Sequence, residues 1–282
     1  MKNLTLLIIL GCCLYSCSDN KKTKNSLTEE NLKGKVSYIE ETVYLAEYKF
    51  GEIQKVILSP IPFFQQSTYK YNNQGNIIEE IRYNSDGSIE HRNTHKYDEQ
   101  GNMIEEISYK SDGSLEHKHT YWYDNQGNKI EKIKYNSDGS INKHTYKYDE
   151  QGNMIEDTPY KRDGSPVGKG KHKYDDQGNN TEVNNINSDG SLSSKHKYKY
   201  DNQGNMTEVT WYQSDGSIYL RNTYKYDEQG NMTKETFCFA KMNYNEKSTY
   251  EYNYDKMGNW VRRIEFEDDE LDNITERTIE YF

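Results

Sequence analysis

Seven histidines and a column of regularly spaced glutamates are the residues here whose types and spacing could do chemistry. Glu79, Glu105, Glu131, Glu156, Glu182 and Glu208 recur at one position of a repeat. Two carboxylates held about 5–9 Å apart would serve glycosidic cleavage. Six equivalent copies instead suit a ladder bonded across strands, because an enzyme concentrates its chemistry in one asymmetric pocket. His117 and His119 project two imidazoles from one strand face, whereas a zinc site needs three or four converging ligands. The histidines fall at different offsets in different repeats, so they read as substitutes for Tyr in a cross-strand column, and no metal ligand is assigned. The segments Asp-Gly-Ser and Asp-x-Gln-Gly-Asn cluster oxygens that could hold Ca2+, but neither has EF-hand spacing. Turn formation is reason enough for Asp and Asn there. Apart from Ca2+ at those turn aspartates, no cofactor is expected. Glycine-rich phosphate loops and a nucleophile elbow are both absent from the sequence. The expectation is a protein that is not an enzyme.

The elements that position these residues come from internal repetition. Tyr-Asp-x-Gln-Gly-Asn recurs with its glycine at Gly75, Gly101, Gly127, Gly152, Gly178, Gly204 and Gly230, with a degenerate copy at Gly258. The spacing is 26 residues, except for 25 before Gly152 and 28 before Gly258. Asp-Gly-Ser follows 12 residues after each of the first six, at Gly87, Gly113, Gly139, Gly164, Gly190 and Gly216. Between these turn signals lie short segments rich in Tyr, Ile, Thr and alternating charge, without helical periodicity. Each turn reads as a three-residue hairpin loop; in Asp98–Asn102 a type I turn over Glu99 and Gln100 would place Gly101 at positive φ.

That loop geometry sets Tyr97 opposite Met103 and Tyr83 opposite Ile89. With a period of two, one face then carries Tyr71, Ile77, Glu79, Ile81, Tyr83, Ile89, His91, His95 and Tyr97. The other carries Ile78, Glu80, Arg82, Glu90, Arg92 and Lys96. All seven histidines fall at even offsets from the repeat tyrosines, while Lys96, Lys147, Lys173, Lys199 and Lys225 fall at odd ones. The unit between Gly139 and Gly152 is one residue short, and Pro159 and Pro166 lie close by, so pairing should be least regular at 155–170. About sixteen strands would make an open sheet of roughly 75 Å at about 4.8 Å per strand. The expected fold is all-β: a long antiparallel meander, solenoid-like and coiled, of about eight 26-residue hairpin repeats.

Composition fits a thin core. Ile, Leu, Val and Phe together make 48 of 282 residues, about 17%, with a net charge of −10 and 27 Tyr. Such a balance excludes an ordinary aliphatic-core enzyme and a multispanning helical membrane protein, and it argues against a nucleic-acid partner. The tyrosines would replace the missing aliphatic core. At the amino terminus, Lys2 and the run Leu4–Leu10 form a secretion signal too short to span a bilayer. Leu14-Tyr15-Ser16-Cys17 follows, and Ile9-Leu10-Gly11-Cys12 is a competing match. Only Cys238 lies in the body of the chain, so no internal disulfide framework can form.

Two resemblances follow from these motifs. Leu14-Tyr15-Ser16-Cys17 resembles the lipobox of bacterial lipoproteins, which implies cleavage before Cys17 and lipidation of that residue. Tyr-Asp-x-Gln-Gly-Asn at a 26-residue period, preceded by Tyr-x-Tyr as in Tyr121-Trp122-Tyr123, resembles the YD repeat of Rhs-type proteins over about residues 66–262. That resemblance implies a curled β-sheet strip, and the lipobox implies an outer-membrane, lipid-anchored location with surface exposure open. Few residues follow the last repeat glycine, so no toxin domain is expected, and eight units are expected to be too few to enclose a cargo. The expected organisation is a signal peptide (1–16), a lipidated flexible tether (17–34), an N-terminal β cap (35–65), the repeat sheet (66–262) and a C-terminal β cap (263–282). The expected role is a non-catalytic binding or scaffolding module, attached to the membrane by its lipid and meeting a glycan or another envelope protein. Tyr212 and Tyr219 are the candidate ligand-contacting aromatics. A secreted effector or toxin-associated remnant of an Rhs-type system, and a carbohydrate-active enzyme, are the alternatives.

Overall fold

The computed structural model describes residues 25–58, 66–242 and 244–282. The signal peptide, Cys12, Cys17 and the first part of the tether lie outside the described residues.

The chain is all-β, as its punctuation implies. After a one-turn helix α1 (Ser26–Glu29) come β1 (Val36–Lys49), β2 (Glu52–Leu58), β3 (Gln66–Tyr71), β4 (Ile77–Tyr83), β5 (Ile89–Tyr97), β6 (Met103–Lys110), β7 (Leu115–Tyr123), β8 (Lys129–Asn136) and β9 (Ile141–Tyr148). The meander continues through β10 (Met154–Tyr160), β11 (Gly168–Tyr174), β12 (Asn180–Asn187), β13 (Leu192–Tyr200), β14 (Met206–Gln213) and β15 (Ile218–Tyr226). It ends with β16 (Met232–Phe239), β17 (Tyr244–Tyr254), β18 (Trp260–Glu267) and β19 (Glu270–Tyr281). The turns are built as expected: the Gly101 N–H donates to the Asp98 carbonyl at 3.1 Å, with Gly101 at φ 88°.

The expected open meander is corrected by closure. β1 pairs antiparallel with β19, as in Glu40↔Thr278 and Thr42↔Glu276, and along its other edge with β3, as in Glu40↔Thr68. The result is a closed antiparallel barrel of 18 strands, with β2 hydrogen-bonded to the far half of β1. Closure joins the two edges that an open sheet would leave unpaired. Within the expected terminal β caps, β1 and β19 are therefore ring strands. At about 4.8 Å per strand the ring measures about 86 Å around before tilt is counted.

The expected faces are corrected by a bulge at most of the hairpins, from β3–β4 onward. Lys70 pairs with Glu79 while Tyr71 pairs with Ile77, leaving Ile78 as the extra residue. Arg82 pairs with His91 while Tyr83 pairs with Ile89, leaving Glu90. Each extra residue reverses the facing of the strand beyond it. Glu79, Ile81, Tyr83 and Ile89 thus join the lysine face, and Glu80 and Arg82 join the histidine face. The unit that is one residue short has no bulge at its β8–β9 hairpin: Tyr135 pairs with Ile141 and Lys134 with Asn142 in unbroken register. The missing residue is the bulge residue, so facing is preserved. As expected, pairing thins at 155–170, where β10 and β11 share Glu156↔Lys171 and Asp157↔Gly170 plus an isolated Tyr160↔Pro166 bridge.

The two faces differ in enclosure. Side chains of Lys96, Lys147, Lys173 and Lys199 are 67–69% exposed, against 11% for His119 and 9% for His172. The histidines and the tyrosines that precede the Tyr-Asp turns line the lumen, and the Lys–Glu ladder of Lys96, Lys147, Lys173 and Lys199 coats the outside. The expected flexible tether is also corrected, for residues 25–34 fold across the end of the barrel that carries the Tyr-Asp turns. Asn25 Nδ2 donates to the Gln74 carbonyl at 2.7 Å, Asn31 Nδ2 to the Gln229 carbonyl at 2.7 Å, and Lys33 N to Asn259 Oδ1 at 2.7 Å. Beneath this strap Leu27, Leu32, Val36, Ile39 and Tyr71 form a buried apolar cluster.

Candidate functional site

The repeat tyrosines do structural work first. Tyr97, Tyr123, Tyr148, Tyr174, Tyr200, Tyr226 and Tyr252 each donate from Oη to the carbonyl of Ile77, Met103, Lys129, Met154, Asn180, Met206 or Met232 respectively, at 2.7–2.9 Å. Each acceptor lies beyond the last pair of its strand with the next one: β4 and β5, for example, pair no further than Glu79↔Thr94. The hydroxyl satisfies a carbonyl that the ladder leaves behind.

The glutamate column is not on the aromatic face. Glu105 lies outside between Lys96, at 2.7 Å, and Lys118; Glu156 lies between Lys147, at 2.8 Å, and Lys169, at 3.1 Å. These cations hold the Glu105 and Glu156 carboxyls below the usual range. The turn aspartates are occupied as well. Asp124 Oδ1 accepts from Gln126 N and Asn128 N, and Oδ2 from Asn128 Nδ2. That gives them the turn-building role that their spacing suggests.

Tyr212 and Tyr219 lie on the adjacent strands β14 and β15. Tyr212 faces outward with Lys197 Nζ 5.9 Å from its ring centre. Tyr219, 37% exposed, is the bulge residue of the β14–β15 hairpin and packs edge-on against Phe239 at 5.3 Å.

The inner wall over β5–β9 is where chemistry-bearing side chains converge. Glu106 stands opposite His95 on one side and His119 on the other, and Ser108 stands between Asn93 and His117. Ligand atoms of Glu106, His117 and His119 lie within 4.8 Å of one another. Tyr121 Oη donates to Glu106 Oε2 at 2.6 Å, and His119 Nδ1 lies 3.4 Å from the same oxygen. The His119 imidazole 3.4 Å away and the bond from Tyr121 lower the Glu106 pKa to about 2 against the opposing effect of burial. Ser108 Oγ donates to Asn93 Oδ1 at 2.8 Å, so it accepts from His117 Nε2 at 3.1 Å. In the neutral ring the His117 lone pair is then on Nδ1. Burial depresses the pKa of His95, His117 and His144, keeping those imidazoles neutral. Both ring nitrogens of His95 are buried without a hydrogen-bond partner.

Other lumenal histidines are spoken for. His172 meets Asp157 Oδ1 at 2.8 Å and accepts from Asn180 Nδ2 at 2.9 Å, while His196 stacks on Trp211 at 4.8 Å. Reading the sequence located His117 and His119 but missed Glu106, because without the bulge Glu105 takes its place on the histidine face.

No family model matches the chain, and no curated protein matches it. Among solved structures it is similar to a porin-like protein from Bacteroides uniformis, at 12% identity and TM-score 0.44, covering 87% of this chain and 98% of that one. A porin-like protein from Bacteroides vulgatus gives 12% identity and TM-score 0.31, covering 88% and 98%. TcdB2-TccC3 without its hypervariable C-terminal region gives 16% identity and TM-score 0.35, over 70% of this chain and 10% of that one.

Proposed function

We propose that this chain is a lipid-anchored protein of the bacterial outer membrane whose barrel stands outside the bilayer and acts as a non-catalytic binding module, with the lumen wall as its ligand surface. The observation that carries this reading is the sorting of side chains between the two faces. A membrane-spanning barrel presents lipid with an apolar band about 25 Å tall. Here the outer face of the strands carries ion pairs such as Lys70–Glu79–Arg92 and Lys173–Glu182. Inserting them in hydrocarbon would strip charges of water. Attachment therefore falls to Cys17, whose acyl chains suffice once there is more than one. The strap leads from that anchor to the end bearing the Tyr-Asp turns, which orients the opposite rim, with its Asp-Gly-Ser turns, away from the membrane. A lumen lined by imidazole, phenol and amide groups suits a glycan or a polar segment of another envelope protein.

Fractionation tests the reading. In a Gram-negative host the wild-type chain should sediment with outer membranes. A Cys12→Ala/Cys17→Ala variant exported on an ordinary cleavable signal should be soluble without detergent. A variant that still needs detergent would mean that the strands themselves cross the bilayer.

A further inference from the structure

We propose that Glu106, His117 and His119 form a site for a divalent transition-metal ion of the zinc type on the lumen wall. The repeat provides the first argument. Residues at the Glu106 position in the other units are Glu80, Lys132, Asp157, Val183, Val209 and Glu235. Those at the His119 position are Asn93, His144, Gly170, His196, Asn222 and Ser248, and those at the His117 position are His91, Asn142, Gly168, Ser194, Leu220 and Glu246. One hairpin, β6–β7, combines a carboxylate with both imidazoles. A column kept for structural reasons recurs from unit to unit, whereas a ligand set is needed once.

Donor chemistry provides the second. Two imidazoles and a carboxylate suit Zn2+ and its neighbours, whereas Ca2+ and Mg2+ prefer all-oxygen shells. His119 and Glu106 are already 3.4 Å apart, the separation of two ligands about 2.0–2.1 Å from one tetrahedral ion. The supporting bonds are those that orient metal ligands: Tyr121 steers the carboxylate, and Ser108, fixed by Asn93, steers His117. Three protein ligands leave a fourth position open to the lumen. There the ion would offer a Lewis-acidic contact to an oxygen of a bound molecule, and His95, across from Glu106, and Glu116, whose Oε2 lies 4.0 Å from His117 Nδ1, are the further donors beside it.

The inference rests on the lumen being the binding surface, yet the two claims fail separately, since metal titration is blind to where the barrel resides. The test uses the untagged full-length chain, apo, with Zn2+ followed by calorimetry and Co2+ by visible absorption. Wild type should bind one equivalent, give the intense d–d bands of a tetrahedral nitrogen–oxygen site, and unfold at higher urea with Zn2+ present. His119→Gln and Glu106→Gln should each weaken binding at least tenfold. His196→Gln, in the same lumen, should leave it unchanged. Urea unfolding of each apo variant separates lost ligands from lost fold. No saturable binding by wild type, or undiminished binding by a His117→Gln/His119→Gln double variant, would overturn the proposal.

Discussion

Tyr123 Oη donates to the Met103 carbonyl at 2.7 Å, twenty residues back along the chain and across one hairpin. In the short unit the same bond joins Tyr148 to Lys129 at a separation of nineteen, so the hydroxyl follows the carbonyl rather than the residue count. Tyr123→Phe leaves that carbonyl without its donor and should cost about 1 kcal/mol, within the range for a lost intramolecular hydrogen bond. Urea unfolding monitored by circular dichroism measures it. An effect near zero would mean that water replaces the hydroxyl.

Bulge positions should tolerate deletion where their neighbours do not. Removing Glu90 converts the β4–β5 hairpin to the unbroken register already present at β8–β9 and keeps His91 in the lumen. Its cost should stay within about 1 kcal/mol, whereas removing Arg92 reverses the facing of Ile89–His91 and should cost several kcal/mol. Equal destabilisation by the two deletions would count against the assignment of Glu90 as the extra residue.

The outer ladder should make the barrel acid-sensitive. Lys118 with Lys96, and Lys147 with Lys169, hold Glu105 and Glu156 below their ordinary value of 4.5. A carboxylate whose folded pKa is depressed contributes stability above its unfolded pKa and loses it as pH falls through the folded one. The urea midpoint should therefore drop as pH falls below about 4.5, and Glu105→Gln should shrink that drop.

Glu30 should act in the opposite sense. Glu30 is part of the strap, and desolvation of its carboxyl pushes it above 4.5, against the bond from Tyr71 Oη at 2.9 Å and the charge of Arg277. A raised folded pKa means a contribution that is full below the unfolded value and lost as pH rises through the folded one. Glu30→Gln should therefore raise the urea midpoint at pH 7.5, and the gain should vanish below about pH 4. A gain unchanged by pH would assign the effect to packing.

The turns, the repeat and the shared face of all seven histidines were legible in the sequence because glycine at positive φ and a period of two leave direct traces. The bulges were less legible, since Ile78 and Glu90 look like ordinary strand residues. One trace of them existed: fourteen residues separate Gly113 from Gly127 but thirteen separate Gly139 from Gly152, and only one of those parities fits a plain register. Missing the bulge placed Glu105 in the lumen instead of Glu106 and hid the third partner of His117 and His119. Closure left no trace, because β1 and β19 lie at the ends of the chain and carry no repeat motif.

Ring closure underlies both the lumen and the site within it, and Glu40 and Thr278 test it most directly, being paired across β1 and β19. In a Cys238→Ser background, Glu40→Cys with Thr278→Cys should join within one chain on oxidation or with a short bifunctional thiol reagent, giving a fast-migrating monomer on a non-reducing gel. In an open sheet these residues would stand at opposite edges, roughly 80 Å apart at about 4.8 Å per strand. A pair that stays reduced and unlinked while the protein is folded would contradict the closed barrel.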